Sequence, residues 1–268
     1  MNKLSIITVS YNSEDFIENF IKSVLKFKPE NSELIILDNN SSDKTIDVLK
    51  KYDGKLKLVR SLENLGFSKG NNRAVKEADG DYLFFLNPDT ELTEPIDELI
   101  KFYEENPSAG LVAPKLVMGN GQVQASVKKL PTIWGAIKEY VFGIQNAYSE
   151  YAPKENSPIE IESVNGAALL IKKEYFEKLG GFDQKFFLYY EDVDLCQRIR
   201  AFGKKIYYYP AVSIKHLVGA TKSSQNRYEL NLKAAQIYHG KFAAFMLYLI
   251  FWIPRIKRRL KIVSGAHT

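Results

Sequence analysis

Between Leu4 and Asn87, short apolar runs alternate with amphipathic stretches. Leu4–Val9 reads as a strand, followed by a loop at Ser10–Asn12. Phe16, Ile17, Phe20, Ile21, Val24 and Leu25 then form a helical stripe within Asp15–Lys26. Glu33–Leu37 is a second strand, and the polar run Asp38–Asp43 caps a helix over Lys44–Tyr52. A weaker strand over Leu56–Arg60 and a helix over Ser68–Ala78 lead into Tyr82–Leu86. That five-residue apolar run has the composition of a strand buried on both faces. The alternation predicts an α/β series around a mainly parallel sheet, with no internal repeat.

The second half is less regular. Leu99–Glu105 predicts a short helix, and Val112–Met118 a strand that turns through Gly119-Asn120-Gly121 into a hairpin over Gln122–Val127. Trp134, Ile137, Val141 and Ile144 form a helical stripe inside the otherwise irregular Pro131–Pro158. Segments of this kind are often binding loops or lids. Glu162–Ile171 resumes the regular pattern, and Gly180-Gly181 stops a helix over Lys173–Leu179. Leu195, Ile199 and Phe202 mark a helix that starts near Glu191 and ends at Gly203. On that helix Glu191 and Asp192 flank the apolar stripe, and Asp194 is expected to face outward. Ile206–Tyr209 and Val212–Ile214 read as two short strands ending near His216 and Gly219.

Beyond Tyr228 the chain reads as helical. Phe242–Ile253 is apolar or aromatic throughout, closed by Pro254 and then by Arg255, Lys257, Arg258, Arg259 and Lys261. The apolar run is too short for a bilayer, which needs about 20 residues. Aromatic residues beside cations suit a helix lying in a membrane interface. A dimer-forming or core-docking helix is the alternative. The expected division is residues 1–227 as one domain and 228–268 as a helical tail.

Composition narrows the picture. At 268 residues, 45% of them apolar, the chain has material for one large core. Its formal charge of +5 is matched by the five tail cations, so the body is near neutral and no nucleic-acid-binding face is indicated. The single cysteine, Cys196, excludes an internal disulfide framework and fits a reducing compartment. No signal peptide is read at the start of the chain.

Candidate chemistry sits at the strand ends. Pro88 stops the ladder after Tyr82–Leu86 and sets Asp89 at the strand's C-terminal edge, where open α/β sheets bind ligands. Asn87 and Asp89 together suit a hard divalent cation, although a plain turn also explains Asn-Pro-Asp-Thr. Glu191, Asp192 and Asp194 exceed what capping a helix needs, and helix geometry does not choose between Glu191 and Asp192 as a base. His216, at a strand end, reads first as structural.

Six separated pieces, IITVSYNS, LDNNSSD, ENLGFSKGNN, FLNPDT, VNGAALLIKKEYFEKLGGFD and FFLYYEDVDLCQR, occur in the order of one family. The chain resembles the family 2 glycosyltransferases, inverting enzymes of the GT-A fold, in their rhamnosyltransferase-like branch, from Leu4 to Lys222. The resemblance implies that Asp38 accepts the N–H of a uracil or thymine ring, with Ser10 and Tyr11 against the base. It implies that Asn64, Gly66 and Asn71 follow the ribose and diphosphate, and that Gly166 makes room for the donor sugar. Asp89 would be the metal-binding acid of the DXD motif, with Asn87 in place of the first Asp and His216 helping to hold Mg²⁺ or Mn²⁺. Asp192 would be the catalytic base and Glu191 its neighbour.

The implied donor is a dTDP- or UDP-sugar and the acceptor a glycan or polyprenyl-linked glycan. Work on such an acceptor places the enzyme in the cytoplasm, peripheral on the inner face of the plasma membrane. Two other classes compete with this reading. A nucleotidyltransferase needs a glycine- and basic-rich loop after the first strand, and Ser10–Phe16 carries acids instead. A sugar-nucleotide-binding protein without activity would keep Asp38 but has no use for Glu191 and Asp192.

Overall fold

A computed structural model describes residues 3–217 and 227–265. Most of the expected elements are present, with small changes at their ends. In order they are β1 (Leu4–Ser10), α1 (Ile17–Phe27), β2 (Ser32–Asp38), α2 (Thr45–Lys50), β3 (Lys57–Arg60), α3 (Gly66–Val75) and β4 (Tyr82–Leu86). Next come β5 (Thr90–Leu92), α4 (Asp97–Glu105), β6 (Ala109–Met118), β7 (Val127–Lys128), α5 (Ile133–Tyr140), β8 (Ile159–Ile161) and β9 (Ser163–Val164). The chain continues with β10 (Ala168–Lys172), α6 (Lys173–Lys178), α7 (Glu191–Ala201), β11 (Lys205–His216), α8 (Arg227–His239) and α9 (Lys241–Gly265).

The large sheet runs β3-β2-β1-β4-β10-β6-β11-β5, with β8 also on β11. β3, β2, β1 and β4 are parallel, as the short α/β spacing predicts. β10 inserts antiparallel between β4 and β6, while β6 and β11 are parallel to each other. β4 is buried along its whole length, because β1 and β10 flank it and both sheet faces are covered. Phe84 faces the core on one side of the sheet, with Phe20 and Ile21 of α1, and Phe85 the core on the other, with Phe176 and Phe182.

Several expectations change. Ile206–Tyr209 and Val212–Ile214 are two halves of one strand, β11, whose register on β6 shifts between Tyr209 and Ser213. The extra residues around Pro210 form a bulge, so pairing continues past a residue that cannot donate. The hairpin after β6 is short: Met118 and Gln124 bond back to Gln122 and Leu116, but Val127–Lys128 pairs with β9 instead. In α5 the predicted stripe is not the core face. Of that stripe only Ile137 packs inward, beside Ile133, Ala136 and Tyr140, while Trp134, Val141 and Ile144 are exposed. Phe202 likewise is exposed, edge-on to Tyr175, while Val193 and Cys196 complete the buried face of α7. The chain beyond Tyr228 is helical as expected, and α9 runs through Pro254 to Gly265; a proline removes one helical hydrogen bond without always breaking the helix. Gly219 lies outside the described residues.

Candidate active site

The loops after β1, β2, β3 and β4 all leave the same edge of the sheet, because those strands are parallel. They wall one cleft together with Phe187 and Leu188, before α7, and Leu230 of α8. Of the predicted donor residues, Tyr11, Asn64 and Gly66 line this cleft, as do Asn87 and Asp89. Ser10, Asp38 and Asn71 sit just behind it, all buried. Ser10 donates to the Leu37 carbonyl at 3.4 Å, and Asn71 donates to the Phe67 carbonyl at 3.0 Å. Both hold the wall in shape.

Asp38 Oδ2 accepts from the Ser41 amide at 3.3 Å, whereas Oδ1 is buried without a partner. A buried acceptor left unpaired is costly, so the free oxygen suits a ligand N–H. Asn39, which sequence reasoning passed over, organises the next loop. Its side chain donates to Asn64 Oδ1 at 2.9 Å and accepts from the Leu65 amide at 2.8 Å. Gly66 has φ of +74°, and a Cβ there would lie 2.4 Å from the Phe187 carbonyl oxygen. The close backbone approach that requires glycine here is therefore made by the Phe187 segment, which also accepts the Phe67 amide at 2.7 Å.

The metal-candidate corner is assembled by pairing. His216 lies opposite Thr90 across β11 and β5, which sets His216 Nε2 3.4 Å from Asp89 Oδ1. Its Nδ1 is 2.7 Å from Gln124 Oε1, so this nitrogen is the donor and Nε2 is directed at Asp89. All three side chains are buried. Among the described residues no group of three acids, histidines or cysteines converges on a point. A carboxylate and an imidazole fixed from behind fit Mg²⁺ or Mn²⁺ when diphosphate oxygens and water supply the other ligands. Asn87 is beside them in the cleft wall.

The second half of the site is the start of α7. Asp192 Oδ2 accepts the Gly166 amide at 2.9 Å and Oδ1 the Val193 amide at 2.7 Å. A Cβ on Gly166 would make only ordinary contacts, 3.4 Å from Asp192 Cβ at the nearest. What Gly166 visibly supplies is its N–H. The next residue, Ala167, accepts the Asn87 amide at 3.0 Å, so one short strand connection ties the base candidate to the metal-candidate corner.

Glu191 is also buried, and its Oε2 has no partner. Burial, then repulsion from Asp192, pushes its carboxyl up to about 8. The two adjacent acids are thus unlike: Asp192 is held by two amide donors, whereas burial biases Glu191 toward its neutral form. Asp194 does not face freely outward. It is half-buried and paired with Arg198 at 2.6 Å, and Arg198 also caps the Leu179 and Gly181 carbonyls.

Lys128 was not legible in the sequence as a site residue. It bonds Glu150 at 3.4 Å, and although burial opposes its charge, Asp192 and Glu150 hold its ammonium above the ordinary lysine value. Only the antiparallel pairing of β7 with β9, Lys128 opposite Ser163, brings this cation to the acids of α7.

The family model for glycosyl transferase family 2 matches residues 5–208. The chain belongs to that family. Rhamnosyltransferase WbbL of Escherichia coli is 29% identical over 224 residues, spanning 79% of this chain and 82% of WbbL. The N-acetylglucosaminyl-diphospho-decaprenol L-rhamnosyltransferase of Mycobacterium tuberculosis is 25% identical over 231 residues, 80% of this chain and 75% of that one. Among solved structures, GalNAc-T7 with UDP, GalNAc and Mn²⁺ superposes with a TM-score of 0.66 at 16% identity, over 89% of this chain and about half (48%) of its own. Staphylococcus aureus TarS 1-349 with UDP gives 0.58 at 19% identity, over 87% of this chain and 64% of that one. The fold of this family 2 glycosyltransferase is GT-A.

Proposed function

We propose that this glycosyltransferase moves rhamnose from dTDP-rhamnose to a polyprenyl-linked glycan in cell-surface polysaccharide synthesis, with inversion and with a divalent metal. The reading rests on one observation above the others. The Asp192 carboxylate, from a distant part of the chain, is tied by hydrogen bonds through Gly166, Ala167 and Asn87 to the corner of the cleft wall where Asp89 meets His216. A base on one side and a diphosphate-binding corner on the other are what a single displacement at a sugar carbon needs. The names of both rhamnosyltransferase relatives support the sugar, and that of the mycobacterial one supports the lipid-linked acceptor. A UDP-sugar donor is the second reading, favoured by the UDP in the TarS and GalNAc-T7 structures.

In this mechanism the nucleobase lies by Tyr11 with its imide N–H on Asp38 Oδ1, and the diphosphate runs past Asn64 and Gly66 to Asp89. Asp192 takes the proton of an acceptor hydroxyl. That oxygen bonds to the anomeric carbon as the bond to the diphosphate oxygen breaks on the opposite face. One displacement with no covalent sugar–enzyme intermediate inverts the configuration. Asp89 and His216 would hold the metal, with Asn87 beside them; it supplies positive charge to the leaving diphosphate. The bias of Glu191 toward its neutral form reduces the negative charge beside Asp192, and the Lys128 ammonium offsets part of what is present.

The tail supports peripheral contact with the inner face of the plasma membrane. Ala244, Leu247 and Ile250 of α9 are buried, the last two against Ala136 of α5, while Phe242, Phe245, Leu249 and Trp252 are exposed along the opposite side. That apolar face suits a lipid interface, and the cations from Arg255 to Lys261 follow it in sequence. Among the described residues no helix is long and apolar enough to cross a membrane.

The test is transfer to a short-chain N-acetylglucosaminyl-diphospho-lipid from dTDP-rhamnose or UDP-GlcNAc, with Mn²⁺ or with a chelator. Transfer from dTDP-rhamnose in Mn²⁺ alone is the expected result. Transfer only from the UDP-sugar replaces the donor, and full activity in chelator removes the metal.

A further inference from the structure

Two consecutive residues directly before α7, Tyr189 and Tyr190, have φ of 75° and 66°. Non-glycine residues in this left-handed region are uncommon, and two in a row persist only where surrounding contacts over-determine them. Tyr190 is also the first link of the helix that carries the base, because its carbonyl accepts the Asp194 amide at 2.9 Å. Any relaxation of its backbone would therefore re-aim Asp192, two residues on.

The contacts that hold Tyr190 come from outside the nucleotide-binding half. Its ring centroid lies 5.3 Å from that of Tyr238 and 5.7 Å from that of His239, both on α8. Tyr238 and His239 meet edge to face at 4.7 Å. The Tyr190 hydroxyl is 3.4 Å from that of Tyr148, in the loop after α5. Tyr148 in turn lies edge-on to Phe251 of α9 at 5.4 Å. Burial pushes His239 down to about 4, so the clasp carries no charge at neutral pH and acts through packing. The same helix α8 places Leu230 in the donor cleft wall, so it runs from the cleft to the clasp.

We propose that Tyr190 is a positioning residue for Asp192, locked in its left-handed conformation by a clasp of Tyr148, Tyr238 and His239, so that the tail helices set the aim of the catalytic base. The inference rests on Asp192 being that base. It gives α8 and α9 a part in turnover that is separate from any contact with lipid. The clasp is continuous with the packing of α9 on α5, since Tyr148 and Phe251 also pack against Ala136, Leu247 and Ile250, and Tyr190 is the point at which that packing meets the start of α7.

The test compares Tyr238→Ala, Tyr238→Phe and Tyr148→Phe with the unaltered full chain. Misaiming by about an ångström costs up to about 10²-fold, so Tyr238→Ala is expected to lose turnover by about 10- to 100-fold. dTDP affinity by calorimetry should stay within about twofold, since none of Tyr148, Tyr190, Tyr238 and His239 lines the donor cleft, and Tyr238→Phe, which keeps the ring, should restore turnover. Amide exchange gives a readout that needs no substrate: the Asp194 N–H, bonded to Tyr190, should exchange faster in Tyr238→Ala while the amides of β4 do not change. Tyr148→Phe, which loses one hydroxyl contact only, should show the same change more weakly and keeps the test decisive if Tyr238→Ala does not fold. Unchanged Asp194 exchange in the folded variants would overturn the proposal. So would equal loss in Tyr238→Ala and Tyr238→Phe. An active Asp192→Asn enzyme would instead remove the base assignment, leaving the exchange result to judge the clasp alone.

Discussion

His216 Nε2 stands 3.4 Å from Asp89 Oδ1, with Gln124 fixing the ring from its other nitrogen at 2.7 Å. The pairing of β5 with β11 creates this relationship, and it makes the metal question testable by residue. Asp89→Ala is expected to weaken dTDP binding in Mn²⁺ and to change it little in chelator. Gln124→Leu, which touches no ligand in the proposed arrangement, should lower Mn²⁺ affinity by about 10-fold, because partners behind a ligating histidine are worth 10–100-fold. Calorimetric titration of Mn²⁺ and dTDP measures both. Equal dTDP affinity for the unaltered enzyme and Asp89→Ala under both conditions would place the metal elsewhere.

Asp192→Asn should abolish transfer and leave donor binding nearly intact. An amide keeps the shape but takes up no proton, so the loss belongs to kcat, by about 10²–10⁴-fold. Steady-state kinetics with saturating donor check this. More than about a tenth of the original turnover, set against that expected range, would transfer the role to Glu191.

Glu191 makes stability pH-dependent in a direction the structure fixes. Its carboxyl is raised from 4.5 to about 8. Between those values the folded protein holds a proton that the unfolded chain has released, so stability falls as pH rises, by about 1.4 kcal/mol per unit at most. The loss begins near 4.5 and is complete once pH has passed the folded value. Glu191→Gln removes this slope, so the variant should gain stability relative to the parent from pH 5 to pH 9. Urea unfolding at several pH values measures it; parallel pH curves would mean that Glu191 is not buried as a neutral acid.

Lys128→Met should lower kcat and leave dTDP affinity nearly unchanged, because the cation that faces Asp192 and Glu150 is gone. Steady-state kinetics with saturating donor check this. An unchanged kcat would reduce Lys128 to a packing residue.

The exposed face of α9, with Phe245, Leu249 and Trp252, should bind anionic vesicles. Each nearby cation adds about 1 kcal/mol, so binding should be loose and released by salt. Flotation with and without anionic lipid is the measurement. No flotation at low salt, together with a dimer that truncation after Lys241 dissociates, would make this face a subunit interface. Truncation should also lower turnover on a soluble acceptor, because Phe251, which backs Tyr148 in the clasp, is removed.

Elements whose environment is local could be read from the chain alone. β4 was legible to the residue, because five apolar positions ended by Pro88 leave no other pattern. The α1 stripe, the break at Gly180-Gly181 and the burial of Glu191 and Asp192 beside an apolar stripe were legible for the same reason: periodicity records which face is covered. The motif pieces added the family. Tertiary structure alone decided what covers those faces. β5 is three residues long and pairs with the far end of β11, so nothing local marks it, yet it sets His216 on Asp89. Lys128 reads as a surface cation until β7 pairs with β9. Tyr190 reads as one more aromatic residue until α8 and the loop after α5 close on it. Each of these depends on pairing between distant segments, and burial patterns along a chain carry no record of which distant segment supplies the cover.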